Sequence, residues 1–486
     1  MTIDFGALRG AISRLDASAS SSTTGQDRPV PEQIFAPEHH VGALDANTTI
    51  VFGSRGSGKS FWAGVLAHAD TRKAAAEAYP RIGLDRLLIG LGFTGQDGDG
   101  SVSRATINSQ VPAGTETERA NLLWRCVVLR AVRAAISPGS QTERIGALMQ
   151  DFQDPEAWEE AMHLADSQVE PGARVVIIFD ALDSLAVEWH RLRELTDALL
   201  EVAWSIRGYR SIRAKLFLRP DQVQDLGLRF VELPKMVAGA TKLVWSPANL
   251  YGMFFSRIAT DPTPETIANF RELLIESETP PAPNLLAGIR RWALNYDRGA
   301  QARVFNKLAG LYMGRSHKKG RTYDWPINHL ADGHGEVTPR SFLTLMRTAA
   351  ETQPFLETQA VTAEGIRNGL RSASKVRLEQ LDTEFKWIKR VLAPLARIQV
   401  PCTASVIIDR WNETQTVEAV MTRAAAKEFL PPFESKTDQS DDEQLIDRLT
   451  QMGVLTKRSD GRYDMPDLFR VAARLLRKGG VAPAFV

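Results

Sequence analysis

Cysteine is almost missing from this sequence: Cys126 and Cys402 are the only two in 486 residues, far apart and in no metal-ligand spacing. That excludes a disulfide scaffold and a thiolate zinc site, and it predicts a reducing, cytoplasmic setting. An excess of charge of one sign is missing too. Fifty-nine Lys and Arg against 58 Asp and Glu leave a net +1, so a surface for nucleic acid or acidic lipid must be local. No apolar run approaches the roughly 18 residues of a membrane-spanning helix. The opening MTIDFGALRG lacks the charged-then-apolar build of a signal peptide. With 43% hydrophobic and 24% charged residues, the chain reads as soluble and globular. Its length predicts roughly three compact units.

The stretch ASASSSTTGQDRPVP (17–31) is small, polar and proline-bearing, so residues 1–35 are expected to be a flexible N-terminal segment. Short apolar runs then alternate with helical periodicity. TTIVF (48–52), RLLIGLGF (86–93), RVVIIFD (174–180), AKLFLR (214–219) and TKLVW (241–245) read as strands of a parallel sheet covered on both faces. The predicted class is α/β, with the core at 36–260. Beyond Tyr251 the spacing turns helical in ANLYGMFFSRI, TIANFRELLIES, NLLAGIRRWAL and RVFNKLAGLYM. RSFLTLMRTAAE follows VTPR, where Pro339 suits a first helical turn. Residues 261–353 are therefore expected as a helical lid. The last unit, 354–486, is expected to hold a charged loop (433–444), then a helix, a hairpin around SDG and a final helix. That order resembles a winged helix.

GSRGSGKS (53–60) fits G-x-x-x-x-G-K-[ST], with a strand before it and a helix after it. Gly53, Gly56 and Gly58 let the backbone curl so that successive N–H groups face phosphate oxygens, and the helix adds its positive end. Lys59 is expected to reach the β- and γ-phosphates and Ser60 to ligate Mg2+. Ser54, Arg55, Ser57 and Phe61 complete the expected nucleotide contacts. The apolar strand VVIIF ends in Asp180, the position from which a carboxylate holds the metal, usually through water. A helix N-cap gives the same local pattern. Asp183 is a candidate to orient or activate the attacking water. Arg219, at the tip of AKLFLR, is a candidate to contact a γ-phosphate, although a surface arginine before a proline-forced turn looks the same. Arg340, in the first turn of a lid helix, can couple the lid to that phosphate. Arg55 and Arg257 are weaker candidates for contacts with a neighbouring subunit. Trp124, Trp158, Trp189, Trp204, Trp245 and Trp292 are scattered and read as packing residues.

Together these pieces resemble the ATPases of the AAA+ and STAND group, including signalling ATPases with NACHT or NB-ARC modules. GSRGSGKS resembles their Walker A motif and VVIIFDALD their Walker B, the DALD form being closer to NACHT-type proteins. Arg219 before Pro220 resembles the STAND sensor arginine, and VTPRSF the sensor-two motif of AAA+ and origin-recognition ATPases. The resemblance implies a P-loop NTPase sheet, a helical lid and a C-terminal winged helix, with ATP and Mg2+ as ligands. The sequence departs from AAA+ motors at Ala181, where they carry glutamate, which puts fast hydrolysis in doubt. It shows no C-terminal repeat array and no effector signature.

Two functions compete. In the first, ATP binding and slow hydrolysis switch assembly, as a homo-oligomer or with a protein partner in a multi-component system; the resemblance implies antiviral defence. In the second, an initiator-like ATPase binds duplex DNA through Lys457, Arg458, Arg462, Arg470, Arg474, Arg477 and Lys478. A small-molecule kinase leaves the long helical lid unexplained.

Overall fold

The five apolar runs lie side by side because each is buried on both faces, and parallel neighbours satisfy their backbone groups. The computed structural model describes residues 3–15, 28–139, 143–186, 188–225, 228–281, 292–433 and 439–483. The chain divides into two compact units, Ser18–Leu243 and the pair of segments Met1–Ala17 and Val244–Val486.

In the first unit the strands are β1 (Ile50–Phe52), β2 (Leu87–Phe93), β3 (Arg174–Phe179), β4 (Ile212–Leu218) and β5 (Thr241–Lys242). They form one sheet in the order β2-β3-β4-β1-β5, and every pairing is parallel. This is the α/β class expected from the sequence. Period-two alternation sends side chains to both faces. Ile50, Phe52, Val175, Ile177, Phe179, Ile212, Ala214, Leu216 and Leu218 join one core with Trp124, Val127 and Leu199. The alternate residues Val51, Val176, Ile178 and Phe217 are buried as well. Helices Glu116–Ile136 and Trp189–Ser205 pack together, the former also on β2 and β3. Helix Lys59–Ala67 packs on β2 and β4. Trp124 and Trp158 are buried in this unit, Trp204 is partly buried, and the Trp189 side chain lies outside the described residues.

Residues expected to be flexible are ordered in part. Asp4 caps a helix over Phe5–Ser13 by accepting from the Gly6 N–H at 2.7 Å, and Leu8, Ala11 and Ile12 are buried. That helix belongs to the second unit, where it packs on helices Pro247–Ala259, Pro264–Glu276 and Pro339–Glu351. Arg14 clamps Asp261 at 2.9 and 3.0 Å. The apolar spacing of Phe5, Leu8 and Ile12 carries the signal, which the polar stretch after it masks. Residues 28–35 are ordered in the first unit, with Ile34 and Phe35 buried, and residues 16–27 lie outside the described residues. The core also ends earlier than 260, since helix Pro247–Ala259 lies in the second unit.

That helix starts with a capping box of Ser246 and Asn249. Its Tyr251, Phe254 and Phe255 make ring contacts with Phe305, Tyr323 and Phe342. Most of NLLAGIRRWAL falls on residues 282–291, outside the described set, but Trp292 is buried. Helix Pro339–Glu351 packs on helix Ala363–Glu384. The approach is close enough that a Cβ on Gly369 would sit 2.3 Å from the Leu345 carbonyl oxygen. The loop before Pro339 is tied to the C-terminal segment: Gly333 N–H donates to the Gly453 carbonyl at 2.7 Å, and His334 Nε2 lies 2.9 Å from the Gln451 carbonyl.

The expected hairpin is present, β7 (Thr456–Lys457) antiparallel to β8 (Tyr463–Asp464), with β6 (Gln399–Val400) parallel to β9 (Leu476–Arg477). The predicted charged loop is partly helical, because Ser440 and Glu443 form a capping box that starts helix Asp441–Gln451; residues 434–438 lie outside the described set. The predicted final helix stops after one turn, Asp467–Arg470, and the chain returns as β9.

Replacing Gly369 by valine should force the Pro339–Glu351 and Ala363–Glu384 helices apart and cost about 1–3 kcal/mol. Chemical denaturation of the two proteins measures this; an unchanged midpoint would contradict the packing.

Candidate functional site

The sheet gathers its chemistry at the carboxyl ends of the strands, where parallel α/β sheets open crevices. β1 runs straight into the glycine loop. Gly53 N–H still donates to the Leu218 carbonyl at 3.1 Å, so the loop starts anchored to β4. The backbone then turns through positive φ at Gly56 (83°) and Gly58 (105°), which glycine adopts freely. A Cβ on Gly53 would lie 2.2 Å from Ser57 Oγ, so the curl closes only around a glycine. Helix Lys59–Ala67 starts at Gly58 with no side-chain cap, leaving its first-turn N–H groups to the loop. Lys59 Nζ donates to the carbonyls of Gly53 (2.7 Å) and Ser54 (3.3 Å), folding the ammonium over the cradle. Ser57 is buried, while Ser54, Arg55, Gly56, Ser60 and Phe61 are partly exposed.

β4 sits between β1 and β3, with Phe52 opposite Leu218 and Phe179 opposite Leu216. Asp180 therefore faces the loop across one intervening strand, about 10 Å away at two strand spacings, rather than from the adjacent strand. Asp180 is 2% exposed, and its N–H donates to the Phe93 carbonyl at 2.8 Å. The next residue, Ala181, turns the chain through φ 54°. A left-handed conformation costs a non-glycine residue about 1–2 kcal/mol. Ser184 offsets part of that cost, since both its N–H and its Oγ donate to the Ala181 carbonyl, at 2.9 and 2.8 Å. Asp183 lies on this corner. Arg219, one residue past β4, places Nη1 3.5 Å from Asp183 Oδ2.

Thus the structure brings the loop, Asp180, Asp183 and Arg219 to one edge of one unit. Arg340 and Arg257 belong to the other unit. Arg340 is in the first turn of helix Pro339–Glu351, where Thr338 accepts from the Ser341 N–H at 3.2 Å. Arg257 is in the last turn of helix Pro247–Ala259.

The second candidate site is the C-terminal cations, and acids meet most of them. Arg470 is fully buried and donates to Asp467 at 2.7 Å. Arg477 pairs with Asp464 and with Asp467. Arg462 pairs with Asp460 at 2.7 Å, and Arg458 with Asp460 at 3.5 Å. The helix before the hairpin opens with Asp441, Asp442 and Glu443.

One residue the sequence reading missed is Lys215 on β4. It is completely buried, and its Nζ donates to the carbonyls of Gly42 (3.0 Å) and Asp45 (2.5 Å), fastening the segment that leads into β1. Burial lowers its pKa to about 7, with Asp45 opposing the shift. A lone lysine inside an apolar strand run was the available signal.

No protein-family model and no curated protein matches the sequence. Among solved structures, the Walker-type ATPase PABY2304 of Pyrococcus abyssi is 12% identical with a TM-score of 0.34, over 92% of this chain and 98% of its own. The ORC2 protein of Aeropyrum pernix, solved in ADPNP–ADP complexes, is 11% identical with a TM-score of 0.30, over 89% and 90%. At these values neither likeness carries weight for what the chain does, and the functional reading stands on the site's own geometry.

The lowered Lys215 pKa has a direct consequence for stability. The folded chain holds this proton less tightly than the unfolded chain, so its contribution is complete above pH 10.5 and is lost as pH falls to about 7. Lys215→Met should flatten the rise in unfolding free energy between those pH values. An unchanged pH profile would contradict the assignment.

Proposed function

We propose that the chain binds ATP with Mg2+ in the 53–60 loop, hydrolyses it slowly, and uses the bound state to switch assembly with itself or a protein partner. One observation carries the reading: the strand order sets a glycine loop, an arginine and a buried aspartate along one sheet edge. The residues fit the ligand. The Gly53 cradle would be filled by a Cβ, and the helix start offers backbone donors to an anion. Ser60 and Asp180 supply hard oxygen donors. Among the described residues no group of three His, Cys, Asp or Glu could hold a metal. Mg2+ needs no such cage, because it takes one or two protein oxygens, substrate phosphates and waters. Bound there, it would neutralise phosphate charge during transfer.

Lys59 is already aimed over the loop and would exchange the Gly53 and Ser54 carbonyls for phosphate oxygens. Ala181, where a motor of this type would carry glutamate, leaves no carboxylate next to Asp180, which favours slow turnover. Arg340 is proposed to answer the γ-phosphate from its lid helix. The Gly333–Gly453 bond then offers a route from that helix's leading loop to the C-terminal hairpin, which we read as a winged helix. The ion-paired arginines weigh against duplex DNA as its ligand and favour a protein partner. The two buried free cysteines fit a reducing, cytoplasmic setting, and no described helix is long and apolar enough to cross a membrane. A role in antiviral defence rests on the sequence resemblance alone.

Lys59→Ala should weaken triphosphate binding roughly 10- to 150-fold, the worth of a charged hydrogen bond. Asp180→Ala should retain ADP and lose turnover. Isothermal titration and phosphate release measure both; wild-type binding by Lys59→Ala would remove the nucleotide site. Particle mass should differ among ATP, ADP and nucleotide-free samples, and identical masses in all three would remove the switch.

A further inference from the structure

Asp183 and Arg219 face each other where the turn after β3 meets the tip of β4. The sequence assigns one to water and the other to the γ-phosphate, but their geometry joins them. We propose that Asp183 is a positioning residue that restrains Arg219, releasing the guanidinium only when a γ-phosphate competes for it. This rests on the reading of the 53–60 loop as a triphosphate site.

Both backbones are fixed, so the side chains are the adjustable parts. Arg219 N–H donates to Gln222 Oε1 at 2.8 Å, and Gln222 is buried. The residue before it, Leu218, accepts from Gly53 N–H, which ties the base of Arg219 to the start of the loop. On the other side, Asp183 rides on the single turn Leu182–Ser184, closed by Ser184 on the Ala181 carbonyl. The Arg219 side chain is 11% exposed and that of Asp183 39%. The arginine is thus housed in the edge of the sheet while the aspartate meets it from the solvent side.

The pairing also changes what Asp183 can do. A guanidinium beside a carboxylate stabilises its charged form and makes it a weaker proton acceptor. A base for water would work better unpaired. As a restraint, Asp183 sets a threshold. A terminal phosphate carries a charge of about −1.5 to −2, more than one carboxylate, and can draw Arg219 away. A diphosphate stops one phosphate short and leaves the pair intact. Asp183 thereby makes ATP do work that ADP does not, and it lowers ATP affinity by the worth of a partly exposed ion pair.

The test titrates the full chain, in Mg2+, with a non-hydrolysable ATP analogue and with ADP. The proteins are wild type, Asp183→Asn, Arg219→Ala and the double variant. Asp183→Asn should tighten the analogue by roughly two- to five-fold, the range of an exposed pair, and leave ADP unchanged. In the Arg219→Ala background the same substitution should have no effect on either ligand. Asp183→Ser should repeat the result, and matching thermal midpoints would show that the variants are folded. Equal tightening of both ligands would overturn the proposal. So would unchanged affinities with turnover lost whether or not Arg219 is present, which is the pattern of a base. If Lys59→Ala binds both nucleotides like wild type, the triphosphate reading itself fails, an outcome that involves neither Asp183 nor Arg219.

Discussion

The carboxyl edge of the sheet depends on one constraint: β4 pairs with β1 on one side and β3 on the other, in parallel. Because side chains alternate and strands run 4.8 Å apart, that insertion decides which groups can meet. It ties Gly53 to Leu218, sets Arg219 between the loop and Asp180, and lets Arg219 reach Asp183. With β3 next to β1, the aspartate would crowd the loop and the arginine would lie outside. The spacing leaves room for a phosphate chain.

The same strand has a charged residue in its interior. Lys215 could have been any apolar side chain as far as the sheet is concerned, yet it holds the Gly42 and Asp45 carbonyls. A buried ammonium is costly, and the lowered pKa reflects that cost. What it secures is the approach of the chain to β1, and hence the start of the loop. At the opposite tip, Ala181 accepts a left-handed backbone held by Ser184. Rigid backbone on both sides leaves Lys59 and Arg219 as the groups that can move toward a ligand.

The sheet was legible because its strands are continuous apolar runs, and TTIVF, RLLIGLGF, RVVIIF and AKLFLR each contain an observed strand. The loop was legible because its spacing is local. Strand order was not, since nothing in RVVIIFD states which strand will lie beside it. The Asp183–Arg219 pair was hidden for the same reason: the two are 36 residues apart and meet only through the order of the sheet. Local composition misled at both ends of the chain. A polar stretch after Ile12 obscured a capped helix, and VAARLLRK has helical spacing, yet Leu476–Arg477 pairs with Gln399–Val400. There Arg470 fills the interior against Asp467, which turns an apparent basic surface into a buried ion pair.

The central claim is that the backbone of the 53–60 loop is a receptor for a magnesium nucleoside triphosphate. Hydrogen exchange of the full chain, with and without Mg2+ and a non-hydrolysable ATP analogue, tests it most directly. Protection should appear across Gly53–Ser60 and at the tips of β3 and β4, and should be weaker when Asp180 is alanine. Unchanged exchange over Gly53–Ser60 at saturating analogue, or protection confined to other segments, would contradict the claim.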